Sequence, residues 1–269
     1  MVRRLPRVAS DGKVVATACG FADSHLPQPS RDATIRAALF YRLQIGTTMS
    51  SILPQSSLLP VEWSLANLQE HLGGVSLERI RLFPSPGTAT ERDLEEILDR
   101  ENCTCELIDG VLVEKSRGFF ESRIAAILIF QLERFVQEHD LGIVLGEAGV
   151  LRILPDQVRA ADVAFIGWEH FPDRKLPSEA VPSLVPDLAI EVLSKGNTKQ
   201  EMDRKLRDYF QAGVRLVWCI DPRGRSAEIY TAPAQSERVS EDGLLDGGSV
   251  LPGFQLSLSD LFAQAGRCE

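Results

Sequence analysis

PDLAIEVLSKGNTKQEMDRKLRDYFQAGVRLVWCI, residues 186–220, reads as a strand, a helix and a second strand. In its first part, period-two alternation sends Leu188, Ile190 and Val192 to one face and Asp187, Ala189, Glu191 and Leu193 to the other. The first face is core. Glu191 is a carboxylate on an otherwise apolar strand, where burial without a partner would cost several kcal/mol, so a cation is expected beside it. A helix is expected from about Thr198 to Ala212, with Thr198 and Glu201 spaced as a capping box and Gly213 as the stop. Met202, Leu206 and Tyr209 form its apolar stripe, and Lys205 lies at about 60° from the stripe's centre. From that border its stem can lie on the core while the ammonium reaches the strand ends. Lys199, on the other flank, is the second choice.

Upstream, ADVAFI (161–166) repeats the arrangement, with Asp162 sharing a face with Ala164 and Ile166. Two neighbouring strands could present Asp162 and Glu191 side by side. Hard divalent cations such as Mg²⁺ take oxygen ligands, often one or two carboxylates, and keep several waters. Such an ion polarises a phosphate and lowers the pKa of a bound water. Glu106 and Glu121 are further acids, but Glu121 opens a long helix, where the macrodipole gives it a structural role. Asp187, two pleats from Glu191, marks strand entry.

CELIDGVLVEK (105–115) alternates around Asp109-Gly110 and reads as a tight hairpin. ESRIAAILIFQLERFVQEH (121–139) is apolar nearly all round between Ile124 and Phe130, so it is expected to be buried on most sides. GIVLGEAGVLRIL (142–154) gives two short strands; RLVWCI, the turn DPRG and SAEIYTA form a hairpin; GGSVLPGFQLSLSDLF (247–262) adds an extended piece and a short helix. Before these, SLANLQEHLGG (64–74) is a short amphipathic helix with Leu65, Leu68 and Leu72 on its stripe, and TERDLEEILDRE (90–101) is a second. Residues 1–48 carry seven Lys/Arg against three Asp/Glu, a local +4 that leaves −13 for the rest, and show no sustained period. They read as a disordered extension, or translation starts at Met49. Residues 49–90 then form a helical N-terminal segment, and 91–269 the main domain.

At 269 residues, with 44% hydrophobic and 25% charged residues, the chain has the composition of a soluble globular protein. No apolar run approaches the ~20 residues that span a bilayer. Five scattered cysteines suit reduced thiols in a cytoplasmic protein, and the isolated C-x-C at Cys103 and Cys105 is poor evidence for zinc. A net charge of −9 argues against a broad basic surface that coats nucleic acid, though ions held by carboxylates can cancel local negative charge. Carboxylate acid/base chemistry on a glycoside would call for an aromatic platform that 7% aromatic residues hardly supply.

ELIDGVLVE, ADVAFI, PDLAIEVLS, KLRDYFQAGVRLVWCIDP and LPGFQLSLSDL, spanning about Glu106 to Leu261, resemble in residues and order the PD-(D/E)XK nuclease superfamily, and within it the Uma-two family of restriction endonucleases. Residues 1–90 lie outside the resemblance. It implies an α/β (α+β) fold with a restriction-endonuclease-like core, a central mixed β-sheet flanked by helices, and here a helical N-terminal appendage. It implies DNA as substrate and Mg²⁺ or Mn²⁺ bound by Asp162 and Glu191; a homodimer is compatible with it, and the lack of a long apolar run argues against a membrane partner. Asp162 maps to the motif's aspartate, Glu191 to its (D/E) position and Glu106 to the glutamate of the ELIDG-like segment. Leu193 stands where the motif has its lysine, so that role passes to Lys205. The alternative expectation is a catalytically silent nuclease-fold protein that binds nucleic acid or a protein.

Overall fold

The computed structural model describes residues 63–266 apart from Asn102 and Arg117, so the readings of residues 1–48 and of Met49 lie outside the described residues. Helices α1 (Leu65–His71) and α2 (Glu91–Arg100) both begin with capping boxes, in which Ser64 accepts from the Asn67 amide and Thr90 from the Asp93 amide. Each box satisfies N–H groups that a first helical turn leaves without partners. Leu68 and Leu72 of the α1 stripe are buried, but Leu65 is 56% exposed, so α1 packs through its C-terminal turn alone.

Strands β1 (Cys105–Ile108) and β2 (Val111–Glu114) form the expected hairpin. Asp109 (φ 50°) and Gly110 (φ 73°) both take the left-handed conformation that a two-residue type I′ turn requires. β4 (Leu151–Leu154) and β5 (Gln157–Arg159) extend the hairpin into a four-stranded sheet of order β2-β1-β5-β4. One face packs Ile108, Val111 and Val113 on Leu68, Leu72 and Ile80; the other packs Leu107, Leu112 and Val158 on Leu94 and Ile97 of α2.

A second sheet, six-stranded and mixed, lies at the centre of the residues that follow. It is built from β3 (Gly142–Gly146), β6 (Val163–Gly167), β7 (Leu188–Val192), β8 (Leu216–Asp221), β9 (Ser226–Ala232) and β10 (Gln235–Val239), in the order β10-β9-β8-β7-β6-β3. β7 and β8 run parallel and the other neighbours antiparallel. The parallel pair is possible because helix α4 (Lys199–Ala212) carries the chain back between them. Leu188, Ile190 and Val192 face helix α3 (Phe119–Glu138), as alternation requires, and Ala189 faces α4.

α3 buries Ile124, Ile127, Leu128, Leu132 and Val136, each contributing about 1.5–3 kcal/mol of transfer free energy as an upper estimate. The expectation that it is buried on most sides is corrected: Ala126 is exposed and Phe130 is 62% exposed, because only one layer covers the helix. A small hairpin of β11 (Leu244–Asp246) and β12 (Gln255–Ser257) leads into α5 (Leu258–Ala265), whose Leu258, Leu261 and Phe262 close the same core. Among the described residues no helix is long and apolar enough to cross a membrane.

Candidate active site

Glu106 lies on β1 opposite Val113 and is 3% exposed. Its Oε1 accepts from the Ala160 amide at 3.1 Å and from Lys205 Nζ at 2.8 Å, and its Oε2 accepts from Arg159 Nη1 at 2.8 Å. Arg159, at the end of β5, also pairs with Asp208 on α4. Burial alone would push the Glu106 carboxyl up; the opposed charges of Lys205, Arg159 and Lys115 outweigh it and hold the group well below the usual carboxylate range.

Glu191 sits on the α4 side of β7, one pleat from Ala189, and is 4% exposed. Its Oε1 accepts from Lys205 Nζ at 2.8 Å and from the Tyr209 hydroxyl at 2.6 Å. Here burial prevails over Lys205 and Lys115, and the carboxyl is raised. Lys205 therefore bridges Glu106 on one sheet and Glu191 on the other. Its position is deeper than the stripe border expected from helical periodicity, since Lys205 is 5% exposed and lies within the buried face with Met202, Leu206 and Tyr209. Burial pulls its ammonium down, but Glu106 and Glu191 overcompensate and the net shift is upward, so the group is a fixed positive charge. The Tyr209 hydroxyl is raised well above its ordinary value, first by burial and then by Glu191.

Asp162 immediately precedes β6, and its amide donates to Ile190 O at 3.0 Å, which brings it beside β7. Its Oδ2 accepts from the Val192 amide at 2.6 Å and its Oδ1 from Lys115 Nζ at 2.6 Å. Lys115 also donates to Ala160 O at 2.7 Å and stands 3.9 Å from Glu191 Oε2. One ammonium thus pairs with Asp162 and stands within 3.9 Å of Glu191, the two carboxylates expected to bind an ion. The donor set, two carboxylates and a backbone carbonyl converging on a point, is the hard-oxygen chemistry that Mg²⁺ or Mn²⁺ takes, provided the Lys115 ammonium moves aside.

The remaining candidates lie elsewhere. Lys199 pairs with Asp203 one helical turn on, with its side chain 88% exposed. Glu121 folds back beside Gly118 at the start of α3. Asp187 is a buried structural hub that accepts from the Gly167 amide, from His170 and twice from Arg215. Two other donor groups within mutual reach, Cys103/Cys105/Glu114 and Glu169/His170/Asp187, share no residue with the acidic centre. Sequence reasoning missed Lys115, Arg159 and Tyr209. The hairpin held a signal for the first: Glu106 pairs with Val113, so Lys115, two residues further, falls on the Glu106 face.

A central mixed sheet flanked by helices is the architecture of the restriction-endonuclease-like class of nuclease folds. A family model described as putative restriction endonuclease, Uma2, matches residues 92–259, more than half the chain, and the protein belongs to that family. Among solved structures the fold is similar to that of a putative nuclease of family DUF820 from Anabaena variabilis, with a TM-score of 0.53 and 20% identity, covering 60% of this chain and 90% of that one. A search of curated proteins gave no match.

Proposed function

We propose that the protein is a metal-dependent endonuclease that hydrolyses phosphodiester bonds in DNA. The observation that supports this best is the convergence of the Asp162 and Glu191 carboxylates on one cation position, 2.6 Å and 3.9 Å from the same point. In this reading Asp162 and Glu191 hold Mg²⁺ or Mn²⁺. When bound, such an ion polarises the scissile phosphate and makes a water nucleophilic at neutral pH. Val192 N–H fixes one oxygen of Asp162, and the other, which accepts from Lys115, would hold the ion. Tyr209 and Lys205 fix one oxygen of Glu191 in the same way and leave Oε2, 3.9 Å from Lys115 Nζ, without a hydrogen bond. Glu106 anchors Lys205, which, held protonated between two acids, adds positive potential at the site and does not act as a base. The cleft beside Lys115, about 410 Å³ and lined by Arg79, Thr104, Ser116 and Gly196 among others, is the approach for the phosphate.

A second reading, a nuclease-fold binding protein without catalysis, is favoured by the Lys115 ammonium at the cation position and by the net charge of −9. The test incubates the full chain with plasmid and single-stranded DNA, with Mg²⁺, Mn²⁺ or EDTA, beside Asp162→Asn and Glu191→Gln variants checked for folding by circular dichroism. Cleavage that needs the ion and is lost in both variants supports the nuclease. If neither substrate is cut, the binding reading replaces it; folded variants that cut like the parent overturn Asp162 and Glu191 as the ion's ligands.

A further inference from the structure

Among the described cations of the centre, Lys115 is the one that lines the cleft. Its ammonium end is buried, with the side chain 7% exposed, and is held by Asp162 Oδ1 at 2.6 Å and Ala160 O at 2.7 Å, with Glu191 Oε2 at 3.9 Å. These are three oxygens of the kind a divalent ion would take. Its stem lines the 410 Å³ cleft, whose wall also carries the carboxylates of Glu78 and Glu114 and the hydroxyls of Thr104 and Ser116. A lysine chain has four rotatable carbons, so the same residue can present its charge inward to the acids or outward to the cleft. Lys205 has no such freedom: it is clamped between Glu106 and Glu191 at 2.8 Å each and does not line the cleft.

Charge counting points the same way. Arg159 and Asp208 cancel as a pair, which leaves three carboxylates (Glu106, Asp162, Glu191) facing two ammoniums, Lys115 and Lys205. With Lys115 inward the centre carries one excess negative charge; with Lys115 outward it carries two, the charge that a divalent cation neutralises. Bringing such an ion in while Lys115 stays would place it against an ammonium at contact distance, which Coulomb repulsion opposes.

We propose that Lys115 is an exchangeable internal counter-ion: its ammonium neutralises Asp162 and Glu191 until a divalent cation takes that position, whereupon the side chain swings into the cleft. The proposal rests on the reading of Asp162 and Glu191 as ion ligands. It makes the ion's apparent affinity a competition between Lys115 and the metal, and it delivers a positive charge to the cleft wall when the metal is bound. Ion binding and phosphate attraction are then linked through one side chain.

The test is direct metal binding. Mn²⁺ is titrated calorimetrically into the full chain as wild type, Lys115→Met, Lys115→Arg and Asp162→Asn, with no DNA present. Lys115→Met is expected to bind at least about tenfold more tightly than wild type, equivalent to about 1.4 kcal/mol. Lys115→Arg should stay within a few-fold of wild type, and Asp162→Asn should bind more weakly than either. Thermal unfolding gives a second readout: Mn²⁺ should raise the melting temperature of Lys115→Met by more than it raises that of wild type. Should Lys115→Met fail to fold, Lys115→Gln, which retains a donor for Ala160 O, replaces it in both measurements. Equal Mn²⁺ affinity in wild type and the neutral variant overturns the counter-ion role and leaves the ion site standing. No binding by either overturns both.

Discussion

Replacing Lys205 by methionine removes the charge that joins the two sheets while keeping most of the side-chain volume. Two carboxylates lose a partner at 2.8 Å, but they do not lose equally. Glu106 keeps Arg159 Nη1 and the Ala160 amide, so its charge remains paired. Glu191 keeps the Tyr209 hydroxyl and a distant Lys115, and burial already raises its carboxyl from the ordinary 4.5. In the variant Glu191 is therefore expected to take up a proton on folding. The cost of that protonation sets the scale: each pH unit between solution pH and an unfolded pKa of 4.5 is worth about 1.36 kcal/mol, which gives roughly 3.4 kcal/mol at pH 7 and roughly 1.4 kcal/mol at pH 5.5. The pH 7 figure agrees with the ~3–5 kcal/mol typical of breaking a buried pair. The sign follows from the raised folded pKa: the protonated, stable form is complete below the unfolded pKa, and stability is lost as pH rises through the folded value.

Urea unfolding followed by circular dichroism at both pH values measures this, with the slope m compared to confirm that the native state is intact. At pH 7 the melting temperature should fall by about 7–14 °C, taking ~2–4 °C per kcal/mol for a domain of this size. The double variant Lys205→Met/Glu191→Gln should recover most of the loss, since no charge remains to be neutralised on β7. A loss under about 1 kcal/mol at pH 7, or one that does not shrink at pH 5.5, would refute the picture of Lys205 as the obligatory partner of a buried carboxylate.

Glu106 should behave with the opposite sign: its folded pKa is depressed, so its stabilisation is present above about pH 4.5 and lost as pH falls further, and Glu106→Gln should unfold less steeply with acid than wild type below that pH. Gly110→Ala should destabilise by about 1–3 kcal/mol in the same denaturation assay, because φ is 73° and a Cβ would stand 2.6 Å from the Gly87 backbone carbon. Arg79→Met should cost about 3–5 kcal/mol, since Arg79 grips Glu201 at 2.8 and 3.0 Å and caps Glu114 O at 2.7 Å; hydrogen exchange in the first turn of α4 should rise with it, and unchanged exchange there would count against the clamp.

How much of this was legible depended on the range of the signal. The faces of β7, the capping box at Thr198, the left-handed Gly213 and the Asp109-Gly110 turn are local, and period or turn chemistry reads them directly. Glu191 stood out because a charge at an inward position has no cheap explanation, whereas Glu106 was one of two further acids and took its place from the family resemblance. Lys115 did not stand out, since a lysine after a strand ending in Glu114 looks like any solvated terminus; only the hairpin register puts it on the Glu106 face. The small sheet was half hidden too. β5 is three residues long, too short for alternation to register, and it contributes Arg159. Lys205 was placed on the rim of its stripe because periodicity gives an angle but not the depth to which a neighbouring sheet covers the helix. Tyr209 was counted as core, which is true of its ring; its hydroxyl reaches Glu191 only once β7 and α4 are packed.

The two faces of β7 divide the costs of the molecule. On the α3 side Leu188, Ile190 and Val192 contribute burial without conditions, and nothing there depends on pH or on ions. On the α4 side the chain inserts Glu191 among Ala189, Val217, Leu206 and Tyr209, and must then supply Lys205, and through Lys205 also Glu106 and Arg159, each 3–5% exposed. Apolar residues of similar volume in such a cluster are often neutral or more stable by about 1–4 kcal/mol, so stability alone does not account for four buried charges in one place. What the charges do supply is a rigid electrostatic frame, fixed by hydrogen bonds at every oxygen except those facing Asp162 and Lys115. In the proposed exchange the adjustable charge in that frame is Lys115, which lines the cleft. A fold that locks Lys205 and leaves Lys115 beside open space has separated holding the site together from answering to what enters it.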